Sequence, residues 1–263
     1  MRVHEETAWA KIYEVPGIQH PAFILRNHNH ETVHFVNQEE CLRRTLPAST
    51  FKIFNSLIAL ETGIAPNDDL LIPWDGVNRE VPGWNRDLTL RQAFQASAVW
   101  YFQELARRIG QPTLQRYLDT ANYGNKTISV VDSFWLDGSL QISPDEQVGL
   151  MRRLYFNDLP FAERSQRIVK SMMLQEDSGH YKLYYKTGWG REDDQTDALW
   201  VVGFVERIEK VKEMEGSMNN SDIRAYPYFF AQRFGVARGD KSRDWAAVRI
   251  ELLKKVLHEA GAL

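Results

Sequence analysis

The chain has 263 residues, of which 43% are hydrophobic and 25% are charged, and its formal net charge is −3. This length allows a large buried core in one domain or in a domain with a subdomain, and the charge gives no basis for binding nucleic acid or an anionic membrane. A single cysteine, Cys41, excludes an internal disulfide and a metal cage built from several cysteines.

The amino-terminal part of the chain predicts strands and then a helix. Residues 1–17 lack the apolar region of a signal peptide, and no run in the sequence reaches the roughly 18 apolar residues of a membrane span. Residues 22–27 and 32–37 flank a polar turn, which indicates a β-hairpin. A helix follows near Ser49, with Pro47 as its entry signal.

The middle of the chain, residues 64–175, predicts an all-helical subdomain. Apolar residues recur there about every 3.6 positions in five stretches, namely residues 88–97, 100–110, 113–121, 143–156 and 162–173. Ser143, followed by Pro144 and Glu146, is typical of a helix N-cap.

Strand-like aromatic and β-branched content returns near the carboxyl end, in residues 181–189, 197–207 and 226–236. An amphipathic helix over residues 245–261 follows. The charged stretch 206–225 is expected to be a solvated loop or short helix without ligand chemistry.

Strands at both ends around a helical middle predict an α/β fold of the α+β type. Residues 1–63 and 176–263 would form an antiparallel β-sheet flanked by helices, and the helical insert would pack against it. Such an arrangement leaves a cleft between the two parts.

Lys52 stands out because it lies at the mouth of an apolar helix, one turn after Ser49. Apolar surroundings lower the pKa of a lysine, by up to roughly 3–5 units when burial is complete. A neutral amine can accept the proton of the Ser49 hydroxyl, and the first turn of a helix favours developing negative charge. Alternatively, the lysine simply reaches solvent, since serine and lysine often occur at this spacing.

A second motif lies far downstream, where Lys186, Thr187 and Gly188 end a predicted strand. The lysine and the threonine offer a cation and a hydroxyl to an anionic group, and the glycine would let a substrate approach the strand edge. S-x-x-K followed by K-T-G is the signature of penicillin-recognising serine acyltransferases. The S-D-N element of that signature is replaced here by S-A-V, from Ser97 to Val99.

Together these motifs resemble the class D serine β-lactamases, or oxacillinases. The similarity runs from about Phe23 to the carboxyl end. It rests on PASTFKI (47–53), PWDG (73–76), SAV (97–99), YGN (123–125), FWLDGSLQIS (134–143), KTG (186–188) and the final helix. The resemblance implies one β-lactamase domain over residues 1–263, with a metal-free active site where the sheet meets the helices.

The resemblance also implies a modified lysine. In this family the lysine of S-x-x-K is N-carboxylated by carbon dioxide and acts as the base, and no other cofactor is expected. Val99, Trp135 and Leu136 would line the pocket around Lys52. The indole N–H of Trp135 would hold the carbamate, because an indole is a donor only.

The remaining roles follow the family's motifs. Ser49 would be the nucleophile, and its backbone N–H would form the oxyanion hole with that of Trp189. Ser97 would relay a proton, assisted by the charge of Lys186. Substrate binding would fall to Thr187, Gly188 and Arg249, and a structural role beside the site to Tyr123 and Asn125.

The implied partners are β-lactam antibiotics: penicillins, with cephalosporins and carbapenems left open. A homodimer is also left open, and the family indicates a periplasmic or secreted protein. The acidic run at residues 191–194 follows K-T-G and is expected to border the cleft and influence substrate choice. His28, His30 and His34 have a spacing that metal sites use, but they fall on a hairpin turn, which favours a solvated turn.

Three other functions compete with hydrolysis. A β-lactam sensor domain or a cell-wall transpeptidase uses the same serine without efficient turnover, and a binding module performs no chemistry. In the sensor family the middle motif normally ends in asparagine, so Val99 favours turnover. The intact set of Ser49, Lys52, Ser97 and Lys186 argues against a binding module.

Overall fold

The computed structural model of the protein describes residues 2–210 and 223–263. Nine strands are assigned in that part of the chain: β1 Arg2–Glu5, β2 Gln19–Asn27, β3 Thr32–Val36, β4 Leu71–Ile72, β5 Leu88–Thr89, β6 Leu174–Asp177, β7 Tyr181–Arg191, β8 Thr196–Lys210 and β9 Ile223–Ala237. Seven of them form one sheet in the order β1-β3-β2-β9-β8-β7-β6.

The α-helices of the described residues surround this sheet. They are α1 Thr7–Ala10, α2 Gln38–Leu42, α3 Lys52–Glu61, α4 Leu90–Ala96, α5 Val99–Ile109, α6 Gln111–Ala121, α7 Pro144–Tyr155, α8 Glu163–Met173 and α9 Trp245–Glu259. The predicted α+β fold is thus confirmed, since strands from both ends of the chain share one sheet around a helical middle.

Local signals in the sequence are confirmed in several places. The predicted hairpin is present, because β2 and β3 pair antiparallel with Phe23 opposite Val36. The Ser143 hydroxyl accepts the backbone N–H of Glu146, whose carboxylate accepts the N–H of Ser143 in return. This reciprocal capping box starts α7 at the predicted residue.

Two features of the sheet differ from the prediction. β1 lies parallel to β3, whereas the other pairs in the seven-stranded sheet are antiparallel. The connection from β1 to β3 runs through α1 and β2, which is long enough for the chain to return in the same direction. The middle segment also holds the two-stranded pair of β4 and β5, so it is not all-helical.

The prediction of a loop or short helix over residues 206–225 is wrong at both ends. β8 continues to Lys210 and β9 begins at Ile223, with Ile208 opposite Ala225 in register. Backbone pairing sustains a solvated two-stranded ribbon even where its side chains are charged. The rest of the stretch, residues 211–222, lies outside the described residues.

The sheet separates two hydrophobic layers. One face meets the helical segment, where Leu57 and Phe102 are completely buried. The other face is covered by α9 through Leu253 and Val256. β8 is buried on both faces from residue 198 to 205, which explains its nearly continuous apolar sequence.

Candidate active site

The nucleophile candidate lies in a single 3₁₀ turn, Ala48–Phe51, that leads directly into α3. Ala48 adopts a left-handed backbone conformation with φ of 47°, so the chain bends sharply just before Ser49. Ser49 is 8% exposed. Lys52 begins α3 one turn later, and its Nζ lies 2.6 Å from Ser49 Oγ.

Lys52 is fully buried. Its Nζ lies 5.4 Å from the centroid of the Phe102 ring, and no ion pair to a carboxylate is found for it among the described residues. Burial without a counter-charge disfavours the ammonium form and lowers the pKa of Lys52 to about 7. About half of the amine is therefore neutral near pH 7, and this form can take the Ser49 proton.

A second hydroxyl–amine pair lies opposite the first. Ser97 occupies the turn between α4 and α5 in a left-handed conformation, with φ of 56° and ψ of 34°. Lys186, on β7, donates to Ser97 Oγ at 3.0 Å and to the carbonyl of Thr187 at 3.0 Å. Val99 is the first residue of α5 and is half-buried.

Lys186 is only 4% exposed. Burial lowers its pKa well below the usual value, and the nearby charges of Lys52 and Arg249 lower it further. Two lysines and an arginine thus share one region of low dielectric, where an anionic ligand would stabilise their charged forms.

Arg249 on α9 reaches the K-T-G strand, where its Nη1 donates to the carbonyl of Gly188 at 2.8 Å. Burial lowers the pKa of Arg249 to about 10, although Tyr185 and Asp244 oppose the shift. The guanidinium lies 5.9 Å from the centroid of the Trp189 ring. The final helix therefore brings a cation beside the strand that carries Lys186.

Two further side chains on β7, Thr187 and Trp189, are partly open to solvent. Trp189 is 40% exposed, and its indole N–H donates to Asp197 at 3.1 Å. Thr187 is half-buried between Lys186 and Gly188 on β7. Both residues are accessible to a molecule entering from solvent.

Gly188 has a different role from the one expected. A Cβ at this position would lie 3.1 Å from the carbonyl oxygen of Pro47, 3.1 Å from Thr50 Cγ2 and 3.1 Å from Trp200 Cβ. The glycine therefore lets β7 pack against Ala48–Phe51, the turn that carries Ser49 and is called the serine turn below. It does not open space for a substrate. The sequence could not indicate which side of the strand is crowded.

Trp135 is completely buried and stacks on Phe51, with ring centroids 5.4 Å apart and planes at 24°. Its indole Nε1 is buried and has no hydrogen-bond partner among the described residues. A buried N–H without an acceptor is costly, and Phe51, on which this indole stacks, directly precedes Lys52 in the chain.

Leu136 lies partly outside the pocket in which it was predicted. It is half-buried, and it lines a cavity of about 510 Å³ together with Asp137 and residues 191–194. The acidic run thus forms one wall of a cavity that begins where β7 ends. Within the run, Arg191 pairs with Asp194.

Tyr123 and Asn125 support the site from behind. The Tyr123 ring meets Phe51 edge-on at 5.5 Å and is 2% exposed. Asn125 donates to the carbonyl of Ser139 at 2.7 Å and accepts the N–H of Gln141 at 2.9 Å. Its amide thereby ties its own turn to the end of the segment that carries Trp135.

One supporting residue is absent from the sequence predictions. Gln147, on α7, is buried and donates to Thr50 Oγ1 at 2.9 Å, and that hydroxyl donates to the carbonyl of Pro47 at 2.7 Å. The pair braces the turn that holds Ser49. A glutamine on the apolar face of an amphipathic helix, next to Leu150 and Met151, is the signal that could have found it.

In the part of the chain that the structure describes, no group of three His, Cys, Asp or Glu side chains could hold a metal ion. Of the three histidines considered above, His34 hydrogen-bonds through Nδ1 to Glu6 at 2.7 Å. Within the same residues, no helix has the length and apolar character needed to cross a bilayer.

Comparison with known proteins agrees with this geometry. The family model of the penicillin binding protein transpeptidase domain matches residues 23–221. β-Lactamase OXA-48 of Klebsiella pneumoniae is 43% identical over 189 residues, which cover 72% of this chain and 71% of that protein. Regulatory protein BlaR1 of Bacillus licheniformis is 40% identical over 187 residues, which cover 71% of this chain but only 31% of BlaR1.

A solved class D β-lactamase from Sebaldella termitidis superposes with a TM-score of 0.86 at 32% sequence identity. The alignment covers 100% of this chain and 99% of that structure. The chain therefore belongs to the penicillin-binding transpeptidase family and, within it, to the class D β-lactamases.

Proposed function

We propose that this protein hydrolyses β-lactam antibiotics through an acyl-enzyme on Ser49. The observation that supports this most directly is the 2.6 Å contact between Ser49 Oγ and the buried amine of Lys52. Nucleophilic catalysis by serine requires a base within hydrogen-bond reach of the hydroxyl, and burial lowers the pKa of this amine to about 7, so a large fraction of it is neutral near pH 7.

Acylation would proceed in two proton transfers. Lys52 takes the proton of Ser49 as the hydroxyl oxygen bonds to the lactam carbonyl carbon, and the negative charge on the carbonyl oxygen is stabilised by the backbone N–H groups of Ser49 and Trp189. As the carbon–nitrogen bond breaks, Ser97 gives its proton to the lactam nitrogen. Lys186, 3.0 Å from Ser97 Oγ, lowers the cost of that transfer and replaces the proton.

Binding would use the cations at the cleft. Penicillins carry a carboxylate next to the lactam ring, and Thr187 offers a hydroxyl beside the buried charge of Lys186. Arg249 adds a planar guanidinium, whose geometry suits a carboxylate. We expect the substrate carboxylate to lie between Thr187 and Arg249.

We further propose that Lys52 is N-carboxylated in the active protein. Reaction with carbon dioxide requires a neutral amine, which the lowered pKa of Lys52 supplies in part near pH 7, and the unpartnered indole N–H of Trp135 lies in the same apolar layer. A carbamate there would replace the amine as the base: one of its oxygens would take the Ser49 proton during acylation and then activate the water that releases the acyl group. Trp135 would hold it, and Val99 would exclude bulk water; Leu136 faces the neighbouring cavity and contributes less.

A β-lactam sensor is the second candidate, and the similarity to BlaR1 favours it. Such a protein would form the same acyl-enzyme and keep it. Val99, an apolar residue beside Ser97, favours hydrolysis because a dry pocket keeps Lys52 neutral. We place the protein in the periplasm or outside the cell, where β-lactams would reach it, and this placement follows from the family.

The test combines turnover with mass spectrometry. The protein is mixed with a chromogenic cephalosporin and with a penicillin, hydrolysis is followed by absorbance, and the acyl-enzyme is weighed over time. We expect many turnovers per molecule and a transient adduct, with neither in Ser49→Ala and no turnover in Lys52→Met. A stoichiometric adduct that persists would instead establish the sensor function, and wild-type protein without any adduct would refute both.

A further inference from the structure

One face of β7 makes a continuous contact with the chain that leads to Ser49. Alternate residues of a strand share a face, so Gly188, Gly190 and the following Glu192 point the same way. Gly190 has no room for a side chain, because a Cβ there would lie 2.8 Å from Leu46 Cδ1 and 2.9 Å from Ala48 Cβ. The two glycines thus allow the strand to pack closely against the serine turn. Glu192 is the first charged side chain beyond them on this face.

Glu192 belongs to a closed ring of two arginines and two glutamates. Arg43 Nη1 donates to Glu192 Oε1 at 2.6 Å, and Arg43 Nε donates to Glu40 Oε2 at 2.7 Å. Arg233 Nη1 donates to Glu192 Oε2 at 3.0 Å, and its Nη2 donates to Glu40. Each charge therefore has two neighbours of opposite sign.

The ring is mostly withdrawn from water. The Arg233 side chain is 0% exposed, and those of Glu40 and Glu192 are each 12% exposed. Only Arg43 is substantially open, at 40%. Buried ion pairs contribute little net stability, yet breaking one leaves an uncompensated buried charge. Their main effect here is therefore to fix the relative positions of the segments that they join.

The four members come from three segments: Glu40 and Arg43 from α2 and its C-terminal cap, Arg233 from β9, and Glu192 from the loop after β7. Beyond Arg43 the chain stays fixed to the sheet, because the Trp200 indole donates to the carbonyl of Leu46 at 3.0 Å.

We propose that this ring is a positioning device for the acylation step. By joining the loop after Trp189 to the segment before Ser49, it fixes the distance between the two backbone N–H groups assigned to the oxyanion hole. The inference rests on the proposed function, and we class the members of the ring as positioning residues because their charged groups bind one another.

The test compares matched substitutions inside and outside the ring. Glu192→Gln removes a ring charge, whereas Asp194→Asn removes the same charge two residues later from a side chain that is 88% exposed. Arg43→Met is matched by Arg44→Met, since Arg44 pairs with Glu146 outside the ring. Arg43→Lys is the conservative variant that keeps the charge.

Stopped-flow acylation by a penicillin gives both the rate constant and the fraction of protein that reacts. We expect the acylation rate constant to fall about tenfold or more in Glu192→Gln and Arg43→Met, because displacing reacting groups by about 1 Å can cost about a hundredfold. The reactive fraction should stay near that of wild type. Arg43→Lys should recover part of the rate, and the two controls should match wild type.

Two results would overturn the inference. If the variants lose only reactive fraction and melting temperature while the remaining protein acylates at the wild-type rate, the ring is purely structural. If acylation slows equally in the ring variants and in their controls, the loss of surface charge is the cause and the ring is not. Acylation is measured whether or not the adduct is later hydrolysed, so the role of the ring can be tested even if the protein is a sensor. If the wild-type protein forms no adduct, both the proposed function and this inference are refuted.

Discussion

At the scale of single residues, the proposed carbamate depends on two buried side chains, Lys52 and Trp135. Lys52 is a buried amine without a carboxylate partner among the described residues, and Trp135 is a buried donor without an acceptor. Each is costly to a fold when considered alone. An anion attached to the amine would satisfy the donor, which is why we regard the two as one functional unit.

This unit predicts a selective effect of removing the indole N–H. Trp135→Phe keeps an aromatic ring against Phe51 but offers no donor, and Trp135→Ala also loses the packing. We expect both variants to slow deacylation more than acylation, by about tenfold or more, because a hydrogen bond to a charged group contributes about 1.5–3 kcal/mol. Pre-steady-state kinetics separates the two steps, and added bicarbonate should partly restore turnover.

Unchanged deacylation in Trp135→Phe would remove the indole N–H from the mechanism. If Trp135→Ala alone slowed the reaction, packing against Phe51 would be the cause.

The sequence predicts some of these residues better than others. Ser49 and Lys52 are one helical turn apart, so local geometry alone brings them together. The contact of Lys186 with Ser97 joins residues 89 positions apart, and only the family resemblance indicated it. The crowding around Gly188 depends on which face of β7 packs inward, which no local pattern specifies.

At the scale of elements, the fit of β7 against the serine turn is the central contact. Gly188 and Gly190 bring two backbones together where ordinary side chains would hold them apart. The contact between β7 and the serine turn should tolerate little added volume, because protein interiors are close-packed.

Adding one methyl group tests this contact. We expect Gly190→Ala to lower the free energy of unfolding by about 1–3 kcal/mol, as overpacking does, and to slow hydrolysis. Gly149→Ala is the control, since nothing lies within 4 Å of its Cβ position in the interior of α7 and alanine favours a helix. Urea denaturation measures both, and a Gly190→Ala protein as stable as wild type would contradict the tight fit.

Element types followed from the sequence where periodicity was strong, as in α5, α7 and α9. The ends of the strands were harder to predict from the sequence. The charged ends of β8 and β9 lack strand-like composition, yet cross-strand backbone bonds extend both strands beyond the apolar core. The parallel pairing of β1 with β3 could not be predicted either, because Arg2–Glu5 is too short and too exposed to show a hydrophobic pattern.

At the scale of the whole molecule, the junction of the sheet and the helices holds two buried lysines, Lys52 on α3 and Lys186 on β7. Burial lowers the pKa values of Lys52 and Lys186, so both lysines oppose folding while they are charged. This links the overall stability of the protein to pH. The predicted architecture, strands from both ends of the chain around a helical middle, is what makes such a junction possible.

The sign of the linkage follows from the lowered pKa of Lys52, about 7 in the folded protein. Between about pH 7 and pH 9 the unfolded chain holds a proton on this residue that the folded protein does not, so the free energy of unfolding rises with pH and levels off below about pH 7. We expect Lys52→Met to reduce this slope by about 1.4 kcal/mol per pH unit.

Urea denaturation at pH 7, 8 and 9, in buffer free of carbon dioxide, measures the effect. The exposed Lys241→Met is the control and should keep the wild-type slope. Equal slopes in wild type and Lys52→Met would mean that the amine stays protonated throughout this range.

The position of β9 has a consequence for synthesis in the cell. It is the last strand of the chain but the fourth of seven across the sheet, between β2 and β8. A newly made polypeptide therefore carries two unjoined parts of the sheet, β1-β3-β2 and β8-β7-β6, until β9 is available to pair with both. Such chains will expose unpaired edges during this interval, and we expect them to react with penicillins only after β9 has joined the sheet.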